Sequence, residues 1–197
     1  MYKINKILIG THNKGKFREI SDLLPKKIAK ISPLSLNIAS PNESGKTFLE
    51  NSEIKADFFC KKSKLITLSD DSGLEVDCLN GEPGIFSSRW AEKFGNFDGA
   101  MSEILKRVDK SEKNTKAQFI CSLTIQWPDG KKISETGKVS GNISSKKGNN
   151  GFGYDPIFVP VGYSKTFAEM NYKEKLLIDH RHVAYKKLEQ KIKIYFE

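Results

Sequence analysis

The sequence predicts a mixed α/β or α+β fold. Three observations carry that expectation: short apolar runs of buried-strand character, stretches with apolar residues at helical spacing, and one long alternating segment that turns back on itself. Lys6 to Gly10 (KILIG) is the first apolar run. The following THNKGK leads into an amphipathic helix on which Phe17, Ile20, Leu23 and Leu24 recur until Pro25 ends it. A second helix is expected from Thr47 to about Lys62, with Phe48, Leu49, Ala56, Phe59 and Cys60 on neighbouring faces. Leu65 to Ser69 (LITLS) reads as another buried strand, giving way to a loop at Asp70-Asp71-Ser72-Gly73. Met101, Ile104, Leu105 and Val108 make a short helical stripe. Ala117, Phe119, Cys121, Leu123, Ile125 and Trp127 then alternate with mostly polar residues, the clearest strand signal in the chain. Pro128-Asp129-Gly130 is its turn, and the segment to about Gly141 returns as the hairpin partner. Val183, Ala184, Leu188 and Ile192 give the tail from Asp179 helical spacing. No linker divides the chain, so residues 1–197 are expected to form a single domain.

Composition narrows the partners. Hydrophobic residues at 38% and charged residues at 29% describe a soluble globular protein with enough apolar material for a core. The formal net charge of +9 and pI near 9.3 favour anionic ligands. The lysine pairs that supply the excess are scattered, as at Lys26-Lys27, Lys61-Lys62 and Lys146-Lys147, and read as solvated surface. No basic stripe alternates with aromatics in the RNA-binding manner, so no stable nucleic-acid partner is expected. The three cysteines, Cys60, Cys78 and Cys121, share no metal or redox spacing and read as small apolar residues in a reducing compartment. Ile7-Leu8-Ile9 is too short for a signal-peptide core and nothing approaches a membrane span, which points to the cytoplasm and to no membrane partner.

Four groups of residues could carry chemistry. Gly10-Thr11-His12-Asn13-Lys14-Gly15-Lys16 lies between a strand and a helix, where backbone N–H groups, a lysine and small polar side chains make a phosphate site. It nearly matches the P-loop pattern, but Phe17 stands where the magnesium-binding hydroxyl belongs, which disfavours a P-loop enzyme. Asp70 and Asp71 suit a hard cation such as magnesium, which takes oxygen ligands and keeps waters for substrate phosphates. Extended backbone points the two side chains apart, so one can ligate while the other supports its surroundings. Around the start of the second helix, Lys55 could reach a phosphate and Glu43 could complete a magnesium site. In Gly151-Phe152-Gly153-Tyr154-Asp155 an aromatic ring could stack on a base beside a hydrogen-bond acceptor, and Lys175, His180 and Arg181 bring donors near the last helix. Taken singly, each group also reads as an ordinary turn, acidic loop or surface charge.

Their order along the chain decides between these readings. THNKGK, SGKTFLEN with Lys55 after it, SDDSGLEVDCLNGEPGIFSSRW, GNNGFGYDPIF and EKLLIDHRH together resemble the inosine triphosphate pyrophosphatase family, from about Ile7 to Leu188. The resemblance implies a two-lobed, elongated and strongly twisted mixed sheet with flanking helices, a central nucleotide cleft, and a homodimer. It implies hydrolysis of inosine, deoxyinosine and xanthosine triphosphates to monophosphate and pyrophosphate, with Mg²⁺ as cofactor and purine nucleoside triphosphates as partners. Carried over residue by residue, Thr11, Asn13 and Lys16 hold the phosphate tail, within a substrate-binding loop that includes His12, Lys14 and Gly15. Asp71 binds magnesium and accepts the proton of the attacking water, Glu43 joins the metal site, Lys55 acts beside them, and Ser72 touches substrate. Phe152, with Gly153 and Tyr154, takes the purine, and Asp155, Lys175, His180 and Arg181 read its edge.

Three positions depart from the family pattern. Asp179 replaces a serine before His-Arg, and both types cap helix N-termini well. His182 replaces the following glycine, where backbone packs closely, and Gln118 stands where arginine is common. The competing readings are a pyrophosphatase for other modified nucleotides and a basic nucleic-acid-binding module.

Overall fold

Ile7, Leu8 and Ile9 have no exposed surface, which is why the first strand, β1 (Lys6–Ile9), reads as an unbroken apolar run. The structure is a computed structural model and describes residues 3–111 and 114–196. Helix α1 (Lys14–Leu23) begins where the Asn13 side chain accepts the Lys16 N–H, and it ends at extended Leu24, as a residue before proline requires. Strand β2 (Ala29–Ile31) then pairs in parallel with β1. Helix α2 (Phe48–Ser63) is capped by Thr47, whose hydroxyl accepts the Glu50 N–H, and it closes at left-handed Lys64. Strand β3 (Thr67–Val76) pairs in parallel with the other side of β1.

The expected loop at Asp70 to Gly73 is not a loop. Strand β3 continues through it to Val76, with nearly every residue buried. The sequence shows charge and a glycine there, which propensity assigns to a turn. Buried Lys55 and Arg181 allow the carboxylates of Asp71 and Asp70 to stay within the strand.

Helices α3 (Ser87–Lys93) and α4 (Phe97–Asp109) precede strands β4 (Lys116–Gln126) and β5 (Lys132–Ile143). The turn between the strands is closed by the Trp127 N–H donating to the Lys131 carbonyl at 2.8 Å. Strand β6 (Phe158–Pro160) pairs antiparallel with β5, and helices α5 (Tyr172–Leu176) and α6 (His180–Ile192) complete the chain. The mixed sheet runs in the order β2-β1-β3-β4-β5-β6. Among the described residues no helix is long and apolar enough to cross a membrane.

The described chain divides into two compact units. Unit 1 takes residues up to 71, 121–137 and from 181 onward, and unit 2 takes residues 72–120 and 138–180. In unit 1, Ile7, Ile9, Ile20, Leu68, Leu123, Ile125, Tyr185 and Leu188 form a core. The polar residues that alternate along β4 are buried too, because Thr124 bonds Ser52 at 2.7 Å and Gln126 donates to Asp57 at 3.0 Å. In unit 2 the core gathers Leu74, Met101, Ile104, Ile157 and an aromatic cluster in which Phe119 meets Phe158 at 4.8 Å.

Candidate active site

In unit 1 the junction of β1 and α1 gathers the groups that an anion would need. Gly10 donates its N–H to the Leu68 carbonyl at 2.8 Å, so the chain leaves β1 in contact with β3. A Cβ on Gly10 would stand 2.1 Å from Ser69 Oγ, so only glycine permits that approach. The loop is then set by its own side chains: Thr11 Oγ1 accepts the Asn13 N–H at 3.2 Å and Asn13 Oδ1 accepts the Lys16 N–H at 3.0 Å. The first turn of α1 has no acidic residue and carries Lys14 and Lys16 instead. Cations at a helix N-terminus oppose the dipole, and a bound anion reverses that cost. Lys14 is exposed and Gly15 half-buried. His12 turns elsewhere, with Nε2 3.0 Å from the Ile38 carbonyl and Nδ1 2.6 Å from Ser40 Oγ.

Lys55 is the centre of the second set. Its ammonium donates to Glu43 Oε1 at 2.7 Å and to Asp71 Oδ1 at 2.8 Å, while Asn51 Nδ2 donates to Asp71 Oδ2 at 3.3 Å. Burial works against the charge of Lys55, but Asp71, Asp70 and Glu43 outweigh it and raise its pKa above the ordinary lysine value. For Asp71 the balance is reversed. Burial pushes its carboxyl above the usual range although Lys55 and Lys16 pull the other way.

Asp70 takes different partners, as the alternation of a strand requires. Its Oδ2 lies 3.2 Å from Lys16 Nζ and 3.5 Å from Arg181 Nε, and Arg181 Nη1 donates to Glu19 Oε2 at 2.8 Å. Burial opposes ionisation of Asp70, yet Lys16, Arg181 and Lys55 hold it well below the carboxylate range. Ser72 follows as a half-buried residue of β3 in unit 2.

The donor set suits magnesium better than a metal held by protein alone. Among the described residues no three of His, Cys, Asp and Glu converge. Two carboxylates do converge on one cation, the Lys55 ammonium. Magnesium is commonly held by one or two carboxylates, with substrate phosphates and water completing its shell.

Unit 2 holds the residues expected to meet a base except Arg181, which belongs to unit 1 and lies against Asp70 and Glu19. Asp155 Oδ2 accepts the Phe152 N–H at 2.8 Å and the Lys175 ammonium at 2.6 Å, and Lys175 Nζ stands 4.8 Å from the centre of the half-buried Phe152 ring. His180, the first residue of α6, stacks on Phe119 with 4.7 Å between ring centres. Tyr154 is buried and donates its hydroxyl to the Ser87 carbonyl at 2.8 Å, which fixes the loop that carries Phe152 and Gly153. Gln118 donates to Glu75 at 2.8 Å, so a neutral amide fills the place of the usual arginine.

Two residues escaped sequence reasoning. Asn51 stands four positions before Lys55, hence on the same helix face, and that spacing was the available signal. Glu19 is buried on α1 against Arg181, and nothing in its local pattern separates it from a surface glutamate.

Comparison with known proteins finds relatives over most of the chain. The family model described as the Ham1 family matches residues 7–191. A dITP/XTP pyrophosphatase of Zymomonas mobilis is 41% identical over 93% of this chain and 90% of its own length. One of Rhodopseudomonas palustris is 41% identical over 93% of each. Among solved structures, the Staphylococcus aureus Ham1 protein matches with a TM-score of 0.84 and 34% identity, covering 95% of this chain and 98% of its own. A HAM1 protein from Coxiella burnetii matches with 0.86 and 32%, covering 98% and 100%.

Proposed function

The chain belongs to the Ham1 family, and from that premise we propose that it hydrolyses dITP, XTP and ITP to the nucleoside monophosphate and pyrophosphate, with magnesium as cofactor. The observation that carries this reading is the Lys55 ammonium held between Glu43 and Asp71. Such a place is suited to a cation that also binds phosphate. Magnesium there would neutralise phosphate charge and favour deprotonation of a bound water.

The protein's own residues do the rest. The loop from Thr11 to Lys16 receives the phosphate tail, Lys16 and Lys55 offset its charge, and Asp71 takes a proton from the water that attacks the α-phosphorus. The bond to the bridging oxygen breaks and pyrophosphate leaves. Little covalent work falls to the protein, so positioning and charge account for most of the rate. A carboxylate beside magnesium would keep a low pKa, so Asp71 would be a modest base whose larger service is to orient the water. Phe152 stacks on the purine, and Asp155, Lys175 and His180 with Arg181 recognise its edge. The same reading makes the protein a cytoplasmic homodimer.

The test is a panel of triphosphates with magnesium, assayed separately for pyrophosphate and orthophosphate. Pyrophosphate and monophosphate are expected from dITP, XTP and ITP. A nucleoside diphosphate as the first product would overturn the proposal.

A further inference from the structure

The two carboxylates that face Lys55 come from unlike pieces of backbone. Asp71 stands inside β3, whereas Glu43 sits in the arm of residues 38–45, which has no regular structure. An arm of that kind delivers a carboxylate reproducibly only if it is anchored, and it is anchored at both ends. At one end the His12 ring meets the Ile38 carbonyl and Ser40 Oγ, at 3.0 and 2.6 Å. At the other, the Gly45 N–H donates to Asn51 Oδ1 at 2.8 Å and the Lys46 N–H to Glu50 Oε2 at 2.6 Å.

Asn51 links this arm to the strand. It has no exposed surface, and its amide works at both ends: Oδ1 accepts from Gly45, two residues from Glu43, while Nδ2 donates to Asp71 Oδ2 at 3.3 Å. A backbone N–H can only donate, so Oδ1 must face Gly45, and that leaves the NH₂ for Asp71. We propose that Asn51 is a positioning residue for hydrolysis, holding the Asp71 carboxylate and the Glu43 arm in one geometry. The inference rests on reading Glu43 and Asp71 as the magnesium ligands. Groups that orient ligands in this way typically change metal affinity or activity by about 10- to 100-fold when removed.

Two variants test it. Asn51→Ala removes the link from a buried site. Gly45→Ala displaces the arm from a half-buried one, because a Cβ there would stand 2.6 Å from Asn51 Oδ1 and 2.8 Å from Glu50 Cβ. Mn²⁺ binding is read by electron paramagnetic resonance with the α,β-imido analogue of ITP present, whose scissile bridge resists hydrolysis. The Mg²⁺ requirement, kcat, KM and melting temperature are measured beside it. Both variants should bind Mn²⁺ about tenfold more weakly, need more Mg²⁺ and lose kcat, with KM for the triphosphate little changed and Gly45→Ala melting like the parent. If Asn51→Ala does not fold, Gly45→Ala decides alone. Parent-like Mn²⁺ affinity and Mg²⁺ requirement in a folded variant would overturn the role of Asn51. A parent that releases no pyrophosphate would instead defeat the functional reading, and the Mn²⁺ comparison would still decide on Asn51.

Discussion

Asp70 is 1% exposed and lies against Lys16 and Arg181, whereas its neighbour Asp71 lies against Lys55 and Asn51. The two therefore respond differently to loss of charge. Asp71→Asn keeps shape and leaves Lys55 its bond to Glu43, so folding should change little while turnover falls about 100-fold or more, the scale of a lost general base. Asp70→Asn takes a counter-charge from the buried Arg181 and the half-buried Lys16, and breaking such a buried pair costs about 3–5 kcal/mol. Calorimetry and turnover on both variants separate the roles. A parent-like rate for Asp71→Asn with an inactive but stable Asp70→Asn would reverse the assignment. The residue types at this pair were legible in the sequence, and so was their divergence. Lys55 came only with the family resemblance, and Lys16 and Arg181 were not legible as partners, because they are remote in sequence and only the fold brings them to β3.

At the scale of elements, apolar periodicity located β1, α1, α2, α4, the β4–β5 hairpin and α6 close to their observed bounds. It found the start of β3 but not its continuation past Ser69, where charged residues are buried by specific pairing, and it missed β2 and β6, whose three residues each are too short to show a period. Helix α6 begins at His180, directly after Asp179, the position at which a serine or an aspartate can cap. The next departure, His182, is half-buried, and burial together with Lys186 lowers its pKa although Glu189 opposes them. A histidine with a depressed pKa in the folded state is protonated first in the unfolded chain. Its contribution to stability is thus complete above about pH 6.5, the ordinary histidine value, and is lost as pH falls through the lower folded value. Melting temperature should drop over that acid range, and His182→Gly should drop less steeply. Identical pH slopes for parent and variant would show that His182 stays uncoupled from folding.

For the whole molecule, the +9 charge gave the first hint of an anionic partner, and part of it is matched locally by pairs such as Lys61 with Asp57 at 2.7 Å and Lys146 with Asp98 at 2.8 Å. The groups assigned to phosphate and water belong to unit 1, and Phe152, Asp155, Lys175 and His180 belong to unit 2. That division predicts separable kinetic effects. Every triphosphate has the same tail, so Lys16→Met should lower kcat/KM for ITP and ATP by the same factor. Every purine has a stacking face, so Phe152→Ala should weaken both by roughly 1–3 kcal/mol without changing their ratio. The ratio should depend on His180. Hypoxanthine offers a keto oxygen at C6 that a histidine N–H can meet, whereas adenine offers an amino group there, so donors would face donors. Sites of this kind reject the mismatched analogue by about 10⁴-fold. His180→Phe keeps a flat ring, one atom larger, where His180 stacks on Phe119 at 4.7 Å, and removes the nitrogens. It should lower kcat/KM for ITP by about tenfold, the cost of one unmet hydrogen bond, and leave the residual ATP rate unchanged. Parallel losses on both substrates would mean that His180 supports the fold of unit 2 and that discrimination lies with Asp155, Lys175 or Arg181.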